Sequence, residues 1–212
     1  MTESQGSIVG AELVIGPGCP HCEALLRELT EFVRQGELAR VLVLNAGLEP
    51  EAARERGVRN VPWLKLGPFV LTGARSATEL SRWIHHARNP GSCVARIEHA
   101  LEHGRVDDAT AECADAEGQA ALLQLLADPD VPLNSRVGLG AVVETLAEDG
   151  RLAALAEGLA EITRAEATSL RIDACHYLGL AGGAAARKAL ERCLNDASEE
   201  VREVAAEALR QA

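Results

Sequence analysis

The sequence predicts a small α/β domain followed by an all-α domain, and three observations carry that prediction. Short apolar runs alternate with one-sided helical stripes over the first ninety residues, whereas only helical stripes appear beyond them. Charge divides at the same place. Residues 1–90 hold 10 Lys/Arg and 10 Asp/Glu, residues 91–212 hold 11 and 22, so the whole formal charge of −11 falls in the second part. Composition divides too: four of the five aromatics (Phe32, Trp63, Phe69, Trp83) come first, and alanines number 9 before residue 91 and 28 after it. The join is expected at Asn89-Pro90-Gly91-Ser92, giving domains 1–89 and 90–212.

In the first domain, Ala11 to Ile15 reads as a buried strand stopped by Gly16-Pro17-Gly18. Cys19-Pro20-His21-Cys22 follows and opens a helix with Leu25, Leu26, Leu29, Phe32 and Val33 on one face, ended near Gly36. Val41 to Leu44 reads as a second buried strand, and Pro50 to Arg56 as a short helix closed by Gly57. Val61 to Leu66 and Phe69 to Leu71 are two more strands around the turn Gly67-Pro68. Ser76-Ala77-Thr78-Glu79 has the pattern of a capping box before a last helix carrying Leu80, Trp83 and Ile84. The order is β-α-β-α-β-β-α.

A Cys-Pro-x-Cys turn between a strand and a helix puts Cys19 at the helix N-terminus. Pro20 fits there, because the first helical residue needs no amide donor. Cys19 then faces unpaired N–H groups and the positive end of the helix dipole, which stabilise a thiolate. Cys22, one turn further in, is placed to resolve a mixed disulfide by attacking the Cys19 sulfur. Zinc is the competing use of two cysteines at this spacing, but zinc usually takes two such pairs, and no second one is present.

The stretch 10–88 resembles the thioredoxin fold family. It has Cys19-Pro20-His21-Cys22 at the head of the first helix and Val61-Pro62 at the head of a strand 43 residues after Cys19, approached through Gly57-Val58-Arg59-Asn60. The resemblance implies a cis Pro62 beside the reactive pair, a substrate groove in which Val61 offers backbone hydrogen bonds, and Trp63 at its edge. Two features depart from thioredoxin itself. The loop before Cys19 lacks a tryptophan, and Leu13 stands where thioredoxins bury an aspartate. The domain is therefore closer to the small glutaredoxin-like redox proteins. The pair Pro20-His21 between the cysteines resembles strongly oxidising disulfide oxidases, where an imidazole stabilises the thiolate and makes the disulfide a better oxidant.

Residues 91–212 show helical stripes such as Leu139, Val142, Val143, Leu146 and Leu152, Leu155, Leu159, Ile162. An arginine precedes a small or apolar helix at Arg136, Arg171 and Arg202, at spacings of 35 and 31. The segment Asp196 to Leu209 resembles the first helix of a HEAT-type repeat, with weaker copies at 128–146 and 169–180. That implies three to four helix pairs stacked as a short solenoid whose faces bind a protein. The plainer alternative is a helical cap that only stabilises the first domain.

Cys175 and Cys193 lie on apolar faces and read as buried small hydrophobes rather than a second redox pair. Cys93 falls just past the hinge and Cys113 in a polar loop or short helix, with no role assigned. His99 and His103, four apart, have no third ligand nearby, and His85 and His86 suit a helix's last turn.

The acidic second half speaks against nucleic acid and against an anionic membrane surface. No run of 18 apolar residues is present. The opening Met1 to Gly6 lacks the pattern of a secretory leader, and six scattered cysteines do not make a secreted framework, so the cytosol is the expected compartment. The expected activity is a thiol–disulfide exchange on protein disulfides through Cys19 and Cys22, supplied with electrons by another thiol system and needing no bound cofactor. The helical domain would dock the protein substrate. The rival expectation is an adaptor whose pair switches partner binding without turnover.

Overall fold

The computed structural model describes residues 8–211; the opening segment read above for a leader lies outside them. The chain divides into two compact units, one ending at Ala95 and the other starting at Arg96.

In the first unit the strands are β1 (Gly10–Ile15), β2 (Arg40–Asn45), β3 (Trp63–Leu66) and β4 (Phe69–Thr72), and the helices are α1 (Pro20–Arg34), α2 (Pro50–Glu55) and α3 (Ala77–Arg88). The expected order β-α-β-α-β-β-α is the observed one. The sheet runs β2-β1-β3-β4, with β2 parallel to β1 and the other pairs antiparallel. Leu13 and Val14 are adjacent in β1 yet both fully buried, because this central strand is covered on both faces. Leu13 joins Leu25, Leu29, Leu80 and Trp83 under α1 and α3, and Val14 joins Leu44, Ala53 and Trp63 under α2. Ser76 caps α3 in a complete capping box with Glu79, as its four-residue pattern predicts.

One strand differs from its reading. β2 is not a buried strand: it forms the sheet edge, with Leu42 55 % and Val43 39 % exposed. An unbroken apolar run is the usual mark of a strand covered on both faces, and here it sits on an edge where Leu44 is buried, Val41 is half-buried and the rest of the run is exposed.

The second unit is helical throughout. α4 (Cys93–Glu102) carries the chain into it, followed by α5 (Val106–Glu112), α6 (Ala116–Leu126), α7 (Leu133–Glu148), a 3₁₀ turn (Leu152–Leu155), α8 (Ala156–Ile162), α9 (Thr168–Ala181), α10 (Gly183–Cys193) and α11 (Glu199–Gln211). Tight approaches hold it together. A Cβ on Gly118 would lie 1.7 Å from the Glu112 carbonyl oxygen, so only glycine permits the junction of α5 and α6.

The three arginines singled out by spacing share one arrangement. Each is the fourth residue of its helix rather than a residue ahead of it, and each turns its guanidinium back onto carbonyls of the preceding turn. Arg136 donates to the Asp128 carbonyl at 2.8 Å. Arg171 donates to those of Ala165 and Glu166, both at 2.9 Å, and Arg202 to those of Asp196 and Ala197 at 2.7 and 3.1 Å. Arg171 also grips the Asp196 carboxylate with two parallel bonds of 2.9 and 3.0 Å, and Arg136 lies 3.5 Å from Asp173. The result is a ladder of arginines tying successive turns together.

Candidate active site

The cysteine pair is built by local chain geometry. Cys19 is the N-cap of α1 in extended conformation (φ −88°, ψ 106°), with Pro20 in the first turn. Its carbonyl accepts from the Cys22 amide at 3.1 Å, and its Sγ accepts from the same amide at 3.3 Å. Cys19 and Cys22 are joined as a disulfide, with Cα atoms 5.3 Å apart. Cys19 is half-buried, whereas Cys22, on the inner face of the helix, is only 2 % exposed. Pro20 and His21 between them are exposed. After reduction, a Cys19 thiolate keeps the Cys22 amide as a donor and sits at the positive end of a 15-residue helix.

The sheet brings the second motif to the same end. β1 runs toward Cys19 and β3 runs antiparallel to it, with Val14 opposite Trp63, so the residues just before β3 stand beside the loop just after β1. The contact is direct: a Cβ on Gly16 would lie 3.0 Å from Val61 Cγ2. The Val61–Pro62 bond is cis. Pro62 is buried, and its carbonyl accepts from the Gly73 amide at 3.0 Å. Among the described residues, the backbone N–H and C=O of Val61 have no hydrogen-bond partner. Trp63 is buried in the core under α2, so it supports Val61 from below and presents little of itself to solvent. A shallow cleft of about 210 Å³ opens beside Val61, between α2 and the 58–61 segment, with Arg54 and Arg59 on its lining. The sequence signal for this cleft was the Gly57-to-Pro62 approach; the helix that forms its other wall carries no motif of its own.

The remaining singled-out residues lie elsewhere. His99 and His103 do meet, Nε2 to Nε2 at 3.1 Å, but no group of three or more His, Cys, Asp or Glu able to hold a metal occurs among the described residues. His86 is buried against Phe69 and Trp83 in the last turn of α3. Cys93 begins α4, and Cys113 caps the end of α5 with its thiol 3.4 Å from the Ala109 carbonyl; both are buried and neither is disulfide-bonded. Cys175 and Cys193 are buried, as their apolar faces predict, and neither is disulfide-bonded.

A family model described as a thioredoxin domain matches residues 12–85, from β1 through most of α3. No curated protein and no solved structure matches the chain. The fold is therefore thioredoxin-like over its first part and helical beyond, and the thioredoxin-like domain with its close cysteine pair points to redox activity of the thiol–disulfide type.

Proposed function

We propose that this protein is a thiol–disulfide oxidoreductase acting on protein disulfides, with Cys19 as attacking thiolate and Cys22 as resolving thiol. The observation that carries this reading is the unequal exposure of the two sulfurs at one helix start: Cys19 reachable at the N-cap, Cys22 a turn deeper and nearly sealed. A substrate strand would pair with the open backbone of Val61 beside Pro62, while the cleft next to it receives the flanking side chains. A second thiol system would return the electrons, and a cytosolic setting would keep that system reducing. No helix among the described residues is long and apolar enough to cross a membrane. Turnover of a protein disulfide by the full chain with excess dithiol reductant tests the proposal. Stoichiometric reduction without turnover would favour instead a sensor that switches partner binding.

Pro20 and His21 set the expected poise. With an imidazole at the helix start favouring the thiolate, redox titration against glutathione should place the pair above about −270 mV, the thioredoxin value. His21→Gly should lower the potential, and a native value at or below thioredoxin's would contradict this role for His21.

The helical part reads as a short HEAT-like stack that docks the substrate. The likeness of 196–209 to a HEAT-type helix and the recurring arginine contacts support that reading. Its surplus of acidic residues favours a basic partner, captured less well as salt rises, since exposed charges are screened beyond about 8 Å at physiological ionic strength. A Cys22→Ser trap should therefore lose most of its captured partner between low and high salt. A fragment ending at Ala95, once shown by thermal melting to be folded, should reduce a small disulfide at the native rate yet capture little. Equal capture by that fragment would leave the helices as a cap.

A further inference from the structure

α4 ends in a pair of imidazoles. His99 lies in its last turn and His103 follows directly on Glu102, four residues further, so both rings stand on one face of the helix. Their Nε2 atoms are 3.1 Å apart, and the rings are nearly perpendicular (83°) with centroids at 4.7 Å. His103 is exposed and His99 half-buried, so solvent reaches the pair. The backbone that carries them is fixed. Gly104 takes φ 67° and donates to the Leu101 carbonyl at 3.0 Å, while the Arg105 amide donates to the Ala100 carbonyl at 2.9 Å. These are the two bonds of a Schellman turn, and they hold His103 as the last residue of the helix end.

We infer that His99 and His103 together bind a divalent transition-metal ion of the zinc, nickel or copper class through their two Nε2 atoms. This inference is independent of the role given to Cys19 and Cys22. Imidazole nitrogens ligate such ions at about 2.0–2.1 Å, so two of them 3.1 Å apart subtend an angle of about 98° at an ion placed between them. That angle falls between the right angle of an octahedral site and the wider tetrahedral one, so the rings need move little. Whichever ring donates its Nε2–H to the other at rest takes the Nδ1–H tautomer instead, and both Nε2 lone pairs then meet the ion. No group of three His, Cys, Asp or Glu forms among the described residues, so water fills the remaining positions.

The setting favours a cation. The pair sits at the C-terminal, negative end of a ten-residue helix. The chain from residue 91 onward carries 22 Asp/Glu against 11 Lys/Arg, so its field draws positive ions. The two arginines flanking the pair in sequence are each tied to a carboxylate, Arg96 to Glu112 at 2.8 Å and Arg105 to Asp108 at 2.9 Å, which blunts their repulsion. Acidic surroundings alone would hold an ion nowhere in particular; the two converging nitrogens give it a place. Ligation by residues four apart also clasps the last turn of α4, so the ion adds its binding free energy to the stability of that turn.

The test uses the full chain with Cys19–Cys22 oxidised, so that this pair offers the metal no thiolate, and follows the uptake of zinc ions by calorimetry at pH 7 in a non-coordinating buffer. One ion should bind per chain. His99→Asn and His103→Asn should each abolish that uptake, whereas His85→Asn, at an exposed histidine of α3, should leave it unchanged. Both imidazoles must be neutral to ligate, so binding should weaken steeply as the pH falls toward about 5. In nitrogen-15 spectra of the native chain, the Nε2 resonances of His99 and His103 should move on zinc addition and those of the other histidines should not; this measurement decides alone should a variant fold poorly. No uptake, uptake that survives both substitutions, or shifts at other histidines instead would overturn the inference.

Discussion

Replacing Cys19 by serine is expected to reduce protein-disulfide reduction to background, a fall of at least about a thousand-fold, because the reaction then has no nucleophile at the helix start. Cys22→Ser should behave differently. Its Cys19 thiolate still has the Cys22 backbone amide as donor and the whole dipole of α1 behind it, so the first exchange proceeds. The second does not, and a mixed disulfide through Cys19 accumulates to one per chain. The two variants thus fail at different steps, and non-reducing gel analysis separates them. Alkylation of the reduced native chain near neutral pH should label Cys19 at least about ten times faster than Cys22, given that Cys22 is 2 % exposed. Faster labelling of Cys22 would reverse the roles.

The parts of this site that were legible in the sequence are those fixed by local covalent chemistry. A proline after a cysteine in front of a one-sided apolar stripe has few places to go other than a helix start, and Cys19 is there. Likewise Ser76 and Glu79 specify their own hydrogen bonds. What local pattern could not supply was the third dimension. Val41 to Leu44 is as apolar as β1, but whether a strand lies in the centre or at the edge depends on which partners come later in the chain. Here β3 takes the second side of β1 and leaves β2 outside. Trp63 shows the same limit. Its place next to Pro62 invites a reading at the groove's edge, whereas strand alternation turns its side chain into the core under α2.

Cys175 and Cys193 are a sharper instance. Each lies on an apolar stripe, and burial was readable from that alone. What the stripes left open was the register between the two helices, which is set by the turn at Gly182 and Gly183. The arginine spacing carried more than its sequence form revealed. Three arginines at intervals of 35 and 31 stand out in the sequence, but not that each would reach backward to the turn before it and that Arg171 would also reach across to Asp196.

That ladder makes Arg171 the charged side chain of the helical unit whose loss should cost most. Its guanidinium makes four bonds, two to the Asp196 carboxylate and two to the carbonyls of Ala165 and Glu166, and both partners of the ion pair are only 13 % exposed. Arg171→Ala leaves Asp196 largely buried without its cation, a change worth on the order of 3 kcal/mol. Calorimetry should show the melting transition of the helical part lowered by roughly 10 °C. Arg171→Lys should recover little, because a point charge cannot bond a carboxylate bidentately and two carbonyls together. The double variant Arg171→Ala/Asp196→Ala should fall short of the summed single effects, as expected for residues acting through each other. Acid provides an independent readout. The Arg171 guanidinium first, and the Ser198 amide after it, hold the Asp196 carboxyl below the ordinary carboxylate range. A depressed folded pKa means that its stabilisation is complete above the unfolded value of about 4 and disappears as pH falls through the lower folded value. Asp173 runs the opposite way, since burial raises its carboxyl more than Arg136 lowers it, so its protonation favours the fold. Asp196→Asn should therefore lower the melting temperature at pH 7 and flatten its decline below pH 4, whereas Asp173→Asn should change the neutral value little or raise it. A loss below about 1 kcal/mol for Arg171→Ala, the level of an ordinary surface pair, would show that the ladder decorates the helices rather than holding them.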